Sequence, residues 1–121
     1  MASTALVIED NEQNMYLMNF ILEKNGFHVL KAMDGQEGID IACQRNLDII
    51  LLDIQLPRMD GYEVARRLRQ TEKIKTVPII AVTSYAMVGD REKAIEAGCT
   101  GYIEKPINPT TFIDEIRSFL E

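Results

Sequence analysis

Three short apolar runs organise the chain: Ala5-Leu6-Val7-Ile8, Ile49-Ile50-Leu51-Leu52 and Ile79-Ile80-Ala81-Val82. They are continuous rather than alternating. Strands buried on both faces of a parallel sheet require that pattern. Weaker strand signals run from Phe27 to Ala32 and from Gly101 to Glu104. Helical periodicity fills the intervals. Asn11 to Asn25 carries Met15, Met18, Ile21 and Leu22 on one face and stops at Gly26. A second helix is predicted from Gly35 to Arg45, with Ile39, Ala42 and Cys43 facing inward. A third starts near Gly61 and aligns Val64, Ala65 and Leu68. A fourth is predicted from Tyr85 to Ala97, with Gly89 inside it and Gly98 at its end. The last follows Asn108, with Pro109 at its first position and Phe112, Ile113, Ile116, Phe119 and Leu120 as a core-facing stripe.

The predicted order is therefore (βα) five times, an α/β doubly wound parallel sheet covered on both faces. Both common strand orders fit this count. In such sheets ligands bind beyond the carboxyl ends of the strands, where strand order reverses. Glu9 and Asp10 follow the first run, Asp53 the third, Thr83 and Ser84 the fourth, and Lys105 and Pro106 the fifth. Three carboxylates, a hydroxyl and an ammonium thus converge on one edge. Two unit charges about 4 Å apart repel by about 4 kcal/mol at an effective dielectric near 20, so such a cluster calls for a cation or protons. Hard oxygen donors with no histidine or cysteine select Mg²⁺ or Mn²⁺.

Composition narrows the partners. The chain has 121 residues, 13 basic and 19 acidic, for a net charge of −6. That length suits one domain spanning residues 1–121, and the acidic balance disfavours nucleic acid and anionic membranes. No apolar run approaches the roughly 20 residues of a membrane span, and no secretory signal precedes the first strand. The expectation is a soluble cytoplasmic protein with no attached output domain. Cys43 and Cys99 are far apart, without a C-x-x-C pair, and read as small core or boundary residues. The lone histidine, His28, builds neither a dyad nor a metal cluster and reads as structural. Phosphate-cradling glycine loops and a nucleophile elbow are absent. A carboxylate nucleophile beside a metal and a lysine remains, and its product on phosphorus is an aspartyl-phosphate.

With these residues in view, the chain resembles the receiver domains of two-component response regulators. The resemblance rests on Glu9-Asp10-Asn11, on Asp53 within Leu51-Leu52-Asp53-Ile54-Gln55-Leu56-Pro57, on Met59-Asp60-Gly61, on Thr83-Ser84, and on Tyr102 with Lys105-Pro106. It covers essentially the whole chain. Ala86-Met87, Gly89-Asp90 and Ala97-Gly98-Cys99 are most similar to free-standing cell-division regulators and hybrid-kinase receivers. The resemblance implies a flavodoxin-like fold with strand order 2-1-3-4-5. It implies that Asp53 accepts a phosphoryl group from a histidine kinase or a histidine phosphotransfer protein. Asp10, Asp53 and the backbone carbonyl of Gln55 would ligate Mg²⁺, and Glu9 would act through a water. Lys105 would pair with Asp53 and then with the phosphoryl group, across a cis peptide to Pro106. Thr83 would move toward the phosphoryl group and Tyr102 would swing inward. Such a chain is no enzyme toward other substrates and catalyses only its own phosphorylation and dephosphorylation. Its output would be docking of a downstream protein on the face of the fourth helix, fifth strand and fifth helix, while the first helix meets the phosphodonor. Alternatives weighed are an Mg²⁺-dependent phosphohydrolase, against which Gln55 stands two residues after Asp53; a flavodoxin-type cofactor carrier; and an inactive receiver used for docking.

Overall fold

The structure, a computed structural model, describes residues 3–84 and 89–120. Strands β1 (Thr4–Ile8), β2 (His28–Ala32), β3 (Ile49–Asp53), β4 (Ile79–Thr83) and β5 (Gly101–Glu104) alternate with helices α1 (Glu12–Lys24), α2 (Gly35–Gln44), α3 (Gly61–Gln70), α4 (Asp90–Glu96) and α5 (Pro109–Leu120). A single 3-10 turn at Glu72–Ile74 follows α3. The five strands form one parallel sheet in the order β2-β1-β3-β4-β5. The flavodoxin-like order implied by the resemblance is thus observed.

The three continuous runs are the three central strands. Every residue of β3 and β4 is buried, as is β1 from Ala5 onward. The sheet separates two cores. Leu6, Ile8, Ile50, Leu52, Ile79 and Ala81 pack with α2, α3 and α4 on one side. Ala5, Val7, Ile49, Leu51, Ile80 and Val82 pack with α1 and α5 on the other. The weaker signals of β2 and β5 have a plain cause: these are the two edges, where water reaches part of the strand. His28 lies exposed on β2.

Caps set the helix starts. Asn11 accepts from the Asn14 amide at 2.9 Å, Asp34 from Glu37 at 2.8 Å and Asp60 from Tyr62 at 2.9 Å. Two helices depart from the sequence reading. In α2 the inward face is Gly35, Gly38 and Ala42; Ile39 is half-buried and Cys43 is exposed. The physical reason is close approach: a Cβ at Gly38 would fall 2.4 Å from Ile8 Cδ1. An inward stripe of glycines carries no hydropathy, so hydropathy alone points this helix toward Cys43 rather than toward Gly35 and Gly38. Gly89 is not inside α4 but immediately before it, in the left-handed region with φ +92°. Its flexibility therefore starts the helix rather than weakening its middle. The predicted start of that helix at Tyr85, with Ala86 and Met87, falls outside the described residues.

Candidate functional site

Each central strand ends on a functional side chain. Glu9 directly follows β1 and is fully buried; its amide donates to the Ala32 carbonyl of β2 at 3.0 Å. Asp53 is the last residue of β3 and Thr83 the last of β4, each 3% exposed. Register fixes their depth: Asp53 stands opposite Val82, and Thr83 opposite Glu104. The Ile54 amide then donates to the Val82 carbonyl at 3.2 Å, carrying the chain onward beside β4. The Gly61 amide closes this loop by donating to the Ile54 carbonyl at 3.1 Å. A Cβ on residue 61 would lie 2.4 Å from Ile54 Cα, so glycine alone permits that closure next to Asp53.

Three acids meet there. Carboxylate oxygens of Glu9, Asp10 and Asp53 lie within 4.8 Å of one another, two of the residues buried and Asp10 exposed. Asp53 Oδ1 accepts the Gln55 amide at 2.9 Å, and Glu9 Oε2 accepts the Asn11 amide at 3.1 Å. The Lys105 amide donates to the Thr83 carbonyl at 2.7 Å, which ties the Lys105 backbone to the end of β4. The Lys105–Pro106 peptide is cis. The Lys105 ammonium lies 2.7 Å from Glu9 Oε1 and 3.5 Å from Asp53 Oδ2. The shorter contact is thus to Glu9, a fully buried carboxylate. Glu9 Oε1 thus has the Lys105 ammonium as its partner.

Burial pushes the Glu9 carboxyl up to about 7, reinforced by its hydrogen bond with Asp53 and offset in part by Lys105 and the Asn11 amide. An all-oxygen donor set and excess negative charge fit a hard divalent ion.

Of the other sequence-derived residues, the structure brings Gln55 and Ser84 beside Asp53 and Thr83. Ser84 Oγ donates to Gln55 Oε1 at 3.0 Å, bridging the loops after β3 and β4. No sequence signal announced that bond, because both positions sit in loops without periodicity. Tyr102 is half-buried on β5, against the α2-α3-α4 side of the sheet.

Comparison with known proteins agrees with this arrangement. The family model described as the response regulator receiver domain matches residues 5–117. The chain belongs to that family. It is 41% identical over 120 residues to a protein of Brucella ovis called the polar-differentiation response regulator DivK, covering 99% of this chain and 98% of that one. Among solved structures it is similar to the receiver domain of the sensor histidine kinase PA1611 from Pseudomonas aeruginosa, which has a magnesium ion in its active-site cleft. That match has a TM-score of 0.91 at 32% identity, covering 99% and 98% of the two chains. The chemotaxis protein CheY4 of Vibrio cholerae superposes with a TM-score of 0.95 at 26% identity, covering 99% and 100%. The chain is accordingly a receiver domain of two-component signalling. Among the described residues no helix is long and apolar enough to cross a membrane.

Proposed function

We propose that this chain is a phosphorylation-controlled switch in which Asp53 takes a phosphoryl group from a phosphohistidine of a kinase or phosphotransfer protein. The observation that carries the reading is Asp53 itself. It is a buried carboxylate at the end of the central strand, with two further acids and an ammonium converging on it. An Asp53 oxygen attacks phosphorus; the P–O bond forms as the donor's P–N bond breaks, and the histidine nitrogen leaves with the electron pair. Asp10, Asp53 and the Gln55 carbonyl would hold Mg²⁺, with Glu9 acting through a bound water; the ion would neutralise the acids and a phosphoryl oxygen. Lys105 supplies a second positive charge, and Thr83 offers a hydroxyl from the adjacent strand end. No other substrate is turned over: the chain catalyses only its own phosphorylation and dephosphorylation, in the cytoplasm. Incubation with acetyl phosphate and Mg²⁺ should add about 80 Da to the intact mass, the mass of one phosphoryl group. An unchanged mass would reduce the chain to a docking module.

Protons should compete with the ion. Glu9 carries a folded value of about 7 against 4.5 ordinarily. Its favourable contribution to the metal-free fold is therefore full below about pH 4.5 and is lost as pH rises through 7. Mg²⁺ acts oppositely, since it needs the ionised acids. The rise in melting temperature on adding Mg²⁺ should be larger at pH 8 than at pH 6, as differential scanning fluorimetry reads directly.

The signal would leave through α4, β5 and α5. Helix α4 is short and starts without a side-chain cap, so its first turn is weakly held. Tyr102 and Phe119 line an open cleft of about 320 Å³ between β5 and α5. On α1, Tyr16 is 69% exposed and Phe20 51%, their rings stacked 6.3 Å apart, a surface for the phosphodonor. Beryllofluoride with Mg²⁺ should change amide exchange from residue 89 through Tyr102. Changes confined to the loops around Asp53 would exclude this face as the output.

A further inference from the structure

The charge of this protein is segregated. Residues 61–97 hold seven of the 13 basic residues and five of the 19 acidic ones, which leaves that segment at +2 and the rest of the chain at −8. The segment comprises α3, β4 and α4, with their connections, and both helices lie on one side of the sheet. Between them runs a groove of about 390 Å³, lined by Tyr62, Arg66, Lys93, Glu96 and Ala97. Its apolar lining is the half-buried Tyr62 ring and buried Ala97; its charged lining is two exposed cations, Arg66 and Lys93, against one exposed acid, Glu96. Lys93 has no ion-pair partner among the described residues, and Arg66 has only a half-exposed contact with Glu63 at 3.5 Å.

The groove is also prebuilt. Arg69 spends four hydrogen bonds holding its far end: Nε donates to the Gly98 carbonyl at 2.8 Å, Nη1 to the Ile74 and Val77 carbonyls at 2.6 Å each, and Nη2 to Thr100 Oγ1 at 3.0 Å. The end of α3 is thereby fastened to the turn after α4. The Ala97 end of the groove therefore orders little on binding.

We infer that the α3–α4 groove is a docking site for an acidic protein segment that inserts one apolar side chain between Arg66 and Lys93. Acidic side chains meet the two cations, and the apolar one covers Tyr62 and Ala97. The rest of the chain sums to −8, which disfavours a long polyanion such as duplex DNA because its backbone would extend beyond the groove. A short segment avoids that repulsion. This surface is separate from the acceptor chemistry, so its test uses unphosphorylated protein and is independent of Asp53.

The probe is the capped heptapeptide Glu-Glu-Asp-Leu-Glu-Glu-Asp, titrated into ¹⁵N-labelled protein at low salt. Amide shifts should concentrate in residues 61–70 and 90–98. The double variant Arg66→Glu with Lys93→Glu alters two exposed side chains, so it should fold normally and weaken binding at least tenfold. Replacing the leucine of the peptide by serine should weaken binding severalfold. Shifts scattered over the surface, affinity unchanged in the double variant, or a duplex oligonucleotide shifting the same residues as strongly would each overturn the inference. Concentration-dependent self-association abolished by the same double variant would also overturn it, because the occupant would then be a second copy.

Discussion

Asp53→Asn should eliminate phosphorylation outright. The acetyl phosphate adduct of about 80 Da disappears from the intact mass, while the far-ultraviolet spectrum and cooperative unfolding stay native. The loss is total because the nucleophile is removed, not merely mispositioned. An amide oxygen is a poor nucleophile, and Glu9, though buried beside it, has the Lys105 ammonium 2.7 Å from one oxygen and the Asn11 amide on the other. Asparagine keeps the volume and still offers an oxygen to the Gln55 amide, now 2.9 Å from Asp53 Oδ1. Removing one buried negative charge also relieves repulsion with Glu9, so the variant should melt no lower than the parent. A variant that still gained the full adduct would place the acceptor elsewhere.

The second large effect concerns the metal. Asp10 is the one exposed member of the acidic cluster, so Asp10→Ala leaves no cavity and no unpaired buried group. At a Mg²⁺ concentration ten times the dissociation constant, binding to the native state alone contributes about 1.4 kcal/mol. For a domain of this length that is roughly 5 °C in melting temperature. The substitution should abolish that rise, with little change in the metal-free melting point. A rise of undiminished size would mean the ion sits outside the Glu9–Asp10–Asp53 cluster.

The sequence made most of the frame readable because its signals came from positions with one physical demand. Ile49 to Leu52 and Ile79 to Val82 are apolar at every position, since helices cover both faces of the sheet there. Glu9, Asp53, Thr83 and Lys105 could be assigned to one edge because each lies at or just beyond the end of an apolar run or strand. Positions serving two demands were harder to read. Gly38 faces inward for closeness rather than hydrophobicity, which displaced the α2 stripe and put Cys43 on the wrong side. Gly89 read as a helix interior because one glycine looks the same before a helix as within it. The Lys105–Glu9 contact, the Ser84–Gln55 bridge and the Arg69 clasp were illegible for another reason. All but the Arg69 bonds to Ile74 and Val77 join residues 29 to 96 positions apart, through side-chain geometry that no local pattern encodes.

Asp53 and Thr83 are the terminal rungs of strands sealed on both sides, whereas Gln55 and Ser84 hang on the loops just past them. Reactive groups and the side chains that surround them therefore belong to mechanically different parts of the molecule. The stretch between Ile54 and Asp60 is the part into which residues of a related chain could be grafted without dislodging Asp53 at the end of its strand. The one fixed point in such a graft is Gly61, whose close approach to Ile54 marks where the exchangeable part of the first loop must end.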